Sequence, residues 1–140
     1  MSAPVVLAEP VRLTLGERAA GLCAVAAARA LLVAARGRPQ RISVVLHAIQ
    51  RGAARPGGYE RAARARAVVE TVSLRCASPH GCLPRSIAVL LLCRWRGYRA
   101  SWCVGVHSPP ASSHAWIEIT GRPVGEPFPP RDFYAPIITV

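Results

Sequence analysis

Apolar residues recur with a helical period up to Arg96 and alternate with polar residues beyond it. The helical period predicts four amphipathic helices, namely Glu17 to Arg36, Ile42 to Arg51, Tyr59 to Arg75 and Cys82 to Arg96. Segments that contain glycine and proline separate them, as expected of loops. Two prolines in the first ten residues predict an arm or a short strand at Val5 to Leu7.

The arginines of the first predicted helix indicate which of its residues are buried. Arg18, Arg29 and Arg36 stack on one face at about 100° per residue, so this face is expected to be solvated. The apolar residues left for the core are Leu22, Val25, Ala26, Leu32 and Val33.

The alternation in the last third of the chain predicts antiparallel strands. Ala100 to His107 forms the first strand, Ser113 to Thr120 the second and Tyr134 to Val140 the last. One face of the second strand carries His114, Trp116 and Glu118. Helices followed by an antiparallel sheet predict an α+β fold rather than a doubly wound sheet.

The chain length of 140 residues fits one domain, 1–140. Residues 1–76 are its helical half, and residues 77–140 are a cysteine-bearing helix packed on a small antiparallel sheet. Arg29 interrupts the richest apolar segment, so no membrane span is expected and a cytoplasmic location is the default.

The formal net charge of +11 comes from 18 arginines, for the chain has no lysine. This bias, beside abundant alanine, glycine and proline, indicates a skewed coding composition and weakens a nucleic-acid interpretation. A basic surface still favours acidic peptides or an acidic partner protein.

Five cysteines are an odd number in a chain without an export signal, which favours reduced thiols over a disulfide framework. Cys23, Cys93 and Cys103 lie inside predicted elements and are expected to be small buried hydrophobes. Cys82 differs because it follows Gly81 at a predicted helix start. The helix macrodipole favours a thiolate there, and the free N–H groups of the first turn can bind an oxyanion.

His114, which lies 32 residues after Cys82, is the candidate base. Glu118 shares its face but lies about 13 Å along the strand, too far to orient the imidazole. A tight turn at Thr120-Gly121 would bring Glu126 back opposite His114. Asp132 requires a longer excursion and is the alternative carboxylate.

The motif Cys82-Leu-x-Arg85-Ser86, followed by His114-Ala-Trp-Ile-Glu118 and Gly121-Arg-Pro-Val-Gly-Glu126-Pro, resembles the lasso-peptide biosynthesis B proteins. These are leader peptidases of the transglutaminase-like, papain-related superfamily. The resemblance is close from Cys82 to Val140 and covers the helical half only in length and character.

The resemblance implies a catalytic triad of Cys82, His114 and Glu126, with glutamate where the family has aspartate. It further implies leader removal from a precursor peptide through a Cys82 thioester, without a cofactor or a metal. Arg85 is expected to brace a nearby carboxylate, and Trp116 to pack beside the site or to form a wall that faces the substrate.

The family also implies two partners. One is a separate leader-recognition protein, expected here because the chain begins directly with the peptidase-like helices. The other is an ATP-dependent, asparagine-synthetase-like macrocyclase that takes the freed core. No P-loop motif occurs in this chain.

Three other interpretations remain open. Cys76, His80, Cys82 and His114 could form a metal site, although their spacing does not match the usual zinc pairs. A non-catalytic arginine-rich binding module would need clustered basic and aromatic residues. The same triad could also pass the acyl group to an amine, as in a transglutaminase or acyltransferase.

Overall fold

A computed structural model describes residues 9–52 and 54–140, so the predicted strand Val5 to Leu7 lies outside the described residues. Its helices are α1 (Leu15–Ala34), α2 (Pro39–Gln50), α3 (Tyr59–Val72), α4 (Leu74–Ala77) and α5 (Cys82–Trp95). Its strands are β1 (Arg55–Pro56), β2 (Tyr98–Arg99), β3 (Ser101–His107), β4 (Ser112–Ile119), β5 (Arg122–Pro123) and β6 (Ala135–Thr139). The predicted α+β class is confirmed.

Capping residues set two helix boundaries that differ from the prediction. Helix α1 begins at Leu15 because Thr14 caps it and exchanges hydrogen bonds with Glu17, a capping box. The predicted helix Tyr59 to Arg75 is broken at Ser73, which is extended and accepts a hydrogen bond from the N–H of Cys76. A separate short helix, α4, therefore follows α3.

The predicted burial of helix α1 is confirmed for Val25 and wrong for Leu22, Cys23, Ala26 and Val33. Leu22 and Val33 are 51% and 78% exposed, and Ala26 and Cys23 are exposed as well. The buried face consists of Gly21, Ala24, Val25 and Ala28. A Cβ on Gly21 would lie 2.7 Å from Cγ1 of Val68, so small residues allow α1 to approach α3 closely.

The four main strands form an antiparallel sheet in the order β5-β4-β3-β6. A tight turn at Thr120-Gly121, both with positive φ, joins β4 to β5 and pairs Ile119 with Arg122. The predicted turn is thus present. Both faces of the sheet are covered, because Trp102 and Cys103 are each fully buried on adjacent positions of β3.

Helix α5 lies between the two halves of the fold and packs on α1, α3 and β4. Its residues from Pro84 to Cys93 are all buried. The helix therefore holds its first residue, Cys82, at a fixed point beside β4. Among the helices of the described residues, none combines the length and the apolar character that a membrane crossing requires.

Candidate active site

Cys82 lies at the first position of helix α5, directly after a 3-10 turn of residues Pro79–Gly81. Gly81 is buried, and a Cβ at this position would overlap the carbonyl oxygen of Arg75. Only glycine permits this close approach of the two backbones. The Gly-Cys pair in the sequence thus corresponds to a sharp entry into the helix, with the thiol half-buried at its N-terminus.

Arg85 fixes the segment that leads to Cys82. Its side chain is buried, and Nη1 donates hydrogen bonds to the carbonyl oxygens of Cys76 at 2.7 Å and Ser78 at 3.2 Å. Its Nε lies 3.8 Å from Oε1 of Glu70, the carboxylate that it braces. Arg85 therefore ties the turn before the thiol to the helix that carries the thiol.

His114 lies on β4, opposite Gly105 of β3. Its ring stacks on Trp116, with centroids 5.9 Å apart, and contacts Tyr134 at 5.4 Å on a tilted plane. A Cβ on Gly105 would lie 2.8 Å from Cβ of Tyr134 and 3.0 Å from the Trp116 ring. The glycine therefore leaves room for the two aromatic rings that hold the imidazole.

Glu126 is the carboxylate that contacts the imidazole. Its Oε2 lies 2.8 Å from Nε2 of His114, and its side chain is only 3% exposed. Nδ1 of the ring is then left for the thiol. Burial opposes ionisation of Glu126, but the hydrogen bond with His114 and the charge of Arg66 outweigh it and lower the pKa of the carboxyl group.

The thiol of Cys82 forms a hydrogen bond with His114 and also receives the backbone N–H of Ala115. Strand β5 has only two residues, so it leaves the edge of β4 at Ala115 open to α5. Burial disfavours the thiolate, but these two hydrogen bonds and the charges of His114 and Arg85 outweigh it, and the pKa of Cys82 is lowered.

The imidazole responds in the opposite direction. Burial disfavours the charged ring, but hydrogen bonds with Cys82 and Glu126 and their negative charges raise the pKa of His114 to about 9. A lowered pKa of the thiol and a raised pKa of the imidazole together favour a thiolate–imidazolium pair near neutral pH. By contrast, burial raises the pKa of both Cys93 and Cys103 to about 11, in keeping with their predicted role as inert buried thiols.

Two further residues singled out in the sequence, Trp116 and Asp132, lie near the ion pair between Glu118 and Arg131. Asp132 is exposed in the 3-10 turn 130–132, whose neighbouring Arg131 donates two hydrogen bonds to Glu118, at 2.8 and 3.0 Å. Glu118 in turn accepts the indole N–H of Trp116 at 2.8 Å. Trp116 is 1% exposed, so it packs beneath His114 and does not face a substrate.

The structure brings Cys82, His114 and Glu126 together and leaves Asp132 outside this group. It also adds residues that the sequence analysis missed. Arg66 and Glu70 come from α3, in the helical half, where nothing in an arginine-rich helix distinguishes Arg66 from its neighbours. Their spacing of four residues, typical of a helical ion pair, was the available indication.

A cleft of about 730 Å³ opens beside His114 and Glu126. One wall consists of alanines of α3 and the charged side chains Arg66, Glu70 and Arg85, which already pair with one another. The other wall includes Pro127, Phe128 and Tyr134. Such a cleft can accept an extended chain beside His114.

The four residues considered for a metal site do not form one cluster, although Cys82 and His114 are in contact. Cys76 is buried, and His80 is exposed on the 3-10 turn. Within residues 9–52 and 54–140, no three side chains of the types His, Cys, Asp and Glu form a group that would hold a metal ion.

Comparison with known proteins agrees with this architecture. No curated protein and no solved structure matches the chain. The family model described as the transglutaminase-like superfamily, a group that includes cysteine proteases and acyltransferases, matches residues 24–139. This match spans α5 and the sheet as well as most of the helical half. The chain therefore belongs to the transglutaminase-like superfamily.

Proposed function

We propose that this protein is a cysteine peptidase that removes the leader from a ribosomally made lasso-peptide precursor. The observation that carries the proposal is the contact between the Cys82 thiol and His114, whose Nε2 lies 2.8 Å from Glu126. In this arrangement the carboxylate orients the imidazole, and the imidazole activates the thiol as a nucleophile.

In the first half of the reaction, the thiolate of Cys82 attacks the carbonyl carbon of the peptide bond between leader and core. Backbone N–H groups in the first turn of α5 stabilise the oxyanion, because they have no acceptor within the helix. The imidazolium of His114 gives its proton to the departing amine, which becomes the N-terminus of the core. The leader remains on Cys82 as a thioester.

In the second half, neutral His114 takes a proton from water, and the hydroxide attacks the thioester carbon. The C–S bond breaks, and the leader leaves with a free carboxylate. Glu126 keeps the ring in one orientation throughout and stabilises its charged form. The thiolate–imidazolium pair is restored at the end of the cycle.

The substrate class and the partners rest on the sequence motifs around Cys82, His114 and Glu126, which resemble those of the lasso-peptide B proteins. The open cleft beside His114 is compatible with an extended peptide. On the same resemblance, we propose that a separate leader-recognition protein delivers the precursor and that an ATP-dependent macrocyclase takes the freed core.

The test is mass spectrometry of an acidic-leader precursor after incubation with this protein and its recognition protein. We expect cleavage at one site with the wild type and none with Cys82→Ala or His114→Ala. Cys23→Ala is the matched control, because this thiol is exposed on α1 outside the site, and it should cleave as the wild type does. Cleavage by the Cys82→Ala variant would refute the assignment of Cys82 as the nucleophile.

Acyl transfer to an amine is the second candidate function, since the superfamily includes acyltransferases. A primary amine in the same incubation separates the two reactions, because transfer adds the mass of the amine to the leader fragment. Salt-dependent binding of nucleic acid by Cys82→Ala protein, with no cleavage by the wild type, would instead favour an arginine-rich binding module.

A further inference from the structure

Arg66 holds Glu126 from the side opposite His114. Its Nη1 donates to Oε1 of Glu126 at 2.7 Å and to the carbonyl oxygen of Val124 at 2.9 Å. Its Nε donates to Oε1 of Glu70 at 2.9 Å. One guanidinium therefore fixes both the carboxylate and the backbone of the segment that delivers it.

Gly125 brings this segment into direct contact with the Arg66 side chain. It has a φ of +66°, and a Cβ there would lie 2.7 Å from Cδ of Arg66 and 2.9 Å from Nε. The backbone between Val124 and Glu126 thus turns across the arginine stem. The length and direction of Arg66 define where the carboxylate can lie.

The same arginine is linked to the segment before the nucleophile. Glu70, its partner on α3, lies 3.8 Å from Nε of Arg85. Arg85 holds the carbonyl groups of Cys76 and Ser78, which precede the thiol. Helix α3 supplies no reacting atom. It nevertheless carries Arg66, which holds the carboxylate of Glu126, and Glu70, which pairs with the arginine that holds the segment before the thiol.

We propose that Arg66 is a positioning residue for the thiol–imidazole pair: it holds the carboxylate of Glu126 toward Nε2 of His114. Without Arg66, Oε1 of Glu126 loses the hydrogen bond from Nη1, and the carboxylate can rotate away from the imidazole ring of His114. The proposal rests on the proposed function only in treating Cys82 and His114 as the reacting pair, and no substrate is needed to test it.

A purely structural ion pair would stabilise the fold without affecting the thiol. The two roles are separated by the pH dependence of Cys82 alkylation with iodoacetamide, followed by mass spectrometry of the modified peptides. Cys23 is exposed and provides a second thiol in the same reaction, which reports on the reagent itself. Thermal unfolding of each variant is measured in parallel.

The two variants are Arg66→Met and Arg66→Lys. Methionine removes all three hydrogen bonds, whereas lysine keeps the charge but lacks the planar arrangement of donors that reaches Glu126, Val124 and Glu70 together. We expect Arg66→Met to move the midpoint of Cys82 alkylation upward by about one pH unit, which lowers the rate about tenfold at pH values below both midpoints. Arg66→Lys should shift it in the same direction by less.

Arg64→Met is the matched control. Arg64 lies two residues earlier on α3 and donates two hydrogen bonds, each of 2.9 Å, to the carboxylate of Glu17, away from the site. We expect this variant to change thermal unfolding but to leave the alkylation profile of Cys82 unchanged.

The proposal is overturned if folded Arg66→Met and Arg66→Lys both keep the wild-type midpoint. Should Arg66→Met fail to fold because Glu126 and Glu70 lose their partner, Arg66→Lys alone decides, and an unchanged midpoint there overturns the proposal. Failure of the proposed function has a different result: Cys82 is alkylated in the wild type as expected, but no precursor is cleaved.

Discussion

Replacing Glu126 with glutamine tests whether this carboxylate controls the charge of His114. Glutamine keeps the size of the side chain and can still contact the ring, but it removes the negative charge that lies 2.8 Å from Nε2. The pKa of His114, raised to about 9 by Cys82 and Glu126 against the effect of burial, should therefore fall in Glu126→Gln.

The expected size follows from the geometry. Two unit charges about 4 Å apart interact by about 4 kcal/mol at an effective dielectric constant of about 20, which is an upper limit because Arg66 lies on the same carboxylate. An opposite charge at such a distance typically changes a pKa by about 1 to 3. We expect the pKa of His114 to fall by about 1 to 2, equivalent to about 1.4 to 2.7 kcal/mol.

The measurement is an NMR titration of the His114 ring in the wild type and in Glu126→Gln, with the four histidines assigned by substitution. Asp132→Asn is the control, because Asp132 is exposed in the 3-10 turn and should leave the titration of His114 unchanged. The reasoning is refuted if Glu126→Gln titrates as the wild type does. A shift in Asp132→Asn alone would transfer the orienting role to Asp132.

Three further predictions concern the supports of the site and the helical half. Gly81→Ala should slow alkylation of the thiol and lower the melting temperature, because the added Cβ has no space; wild-type values would contradict the account of the turn. Ala28→Leu should destabilise the protein by about 1 to 3 kcal/mol in urea unfolding, whereas Leu22→Ser should change stability by less than about 0.5 kcal/mol, and the reverse order would be evidence against the observed face of α1. The hydrogen bond with Arg64 lowers the pKa of Glu17 to about 2, so its contribution to stability is complete above pH 4.5 and is lost as the pH falls through 2; Glu17→Gln should reduce that pH dependence.

The return of Glu126 toward His114 was predictable because two local rules bring the chain back along β4. The alternation of β4 defines its register, and Thr120-Gly121 defines where the chain reverses. A tight turn allows one return path, so the chain can be counted back toward His114 to within one position. The strand pairing itself ends at Pro123. The rest of the path to Glu126 depends on the left-handed Gly125 and on Arg66, and the sequence did not single out this arginine.

Helix α1 shows why the core was harder to predict. Its arginines mark one solvated face, but a wide solvated surface leaves several choices for the buried one. The structure buries Gly21, Ala24 and Ala28 because α1 packs closely on α3, where a larger side chain would overlap Val68. Hydrophobicity ranks leucine above glycine, and only the neighbouring helix reverses that order.

Ion pairing around the site depends on the scarcity of carboxylates in this chain. The sequence has seven acidic residues against 18 arginines, so each buried carboxylate has many possible partners and sequence alone does not select one. In the fold, Glu126 serves both His114 and Arg66, and Glu70 lies between Arg66 and Arg85. Each carboxylate thus pairs with two cationic groups from different elements, so losing one carboxylate removes a partner from two of them at once, although Arg66 keeps the other carboxylate. Glu126 and Glu70 are therefore harder to replace than an exposed carboxylate such as Asp132, and they connect α3 to the segments that carry His114 and Cys82.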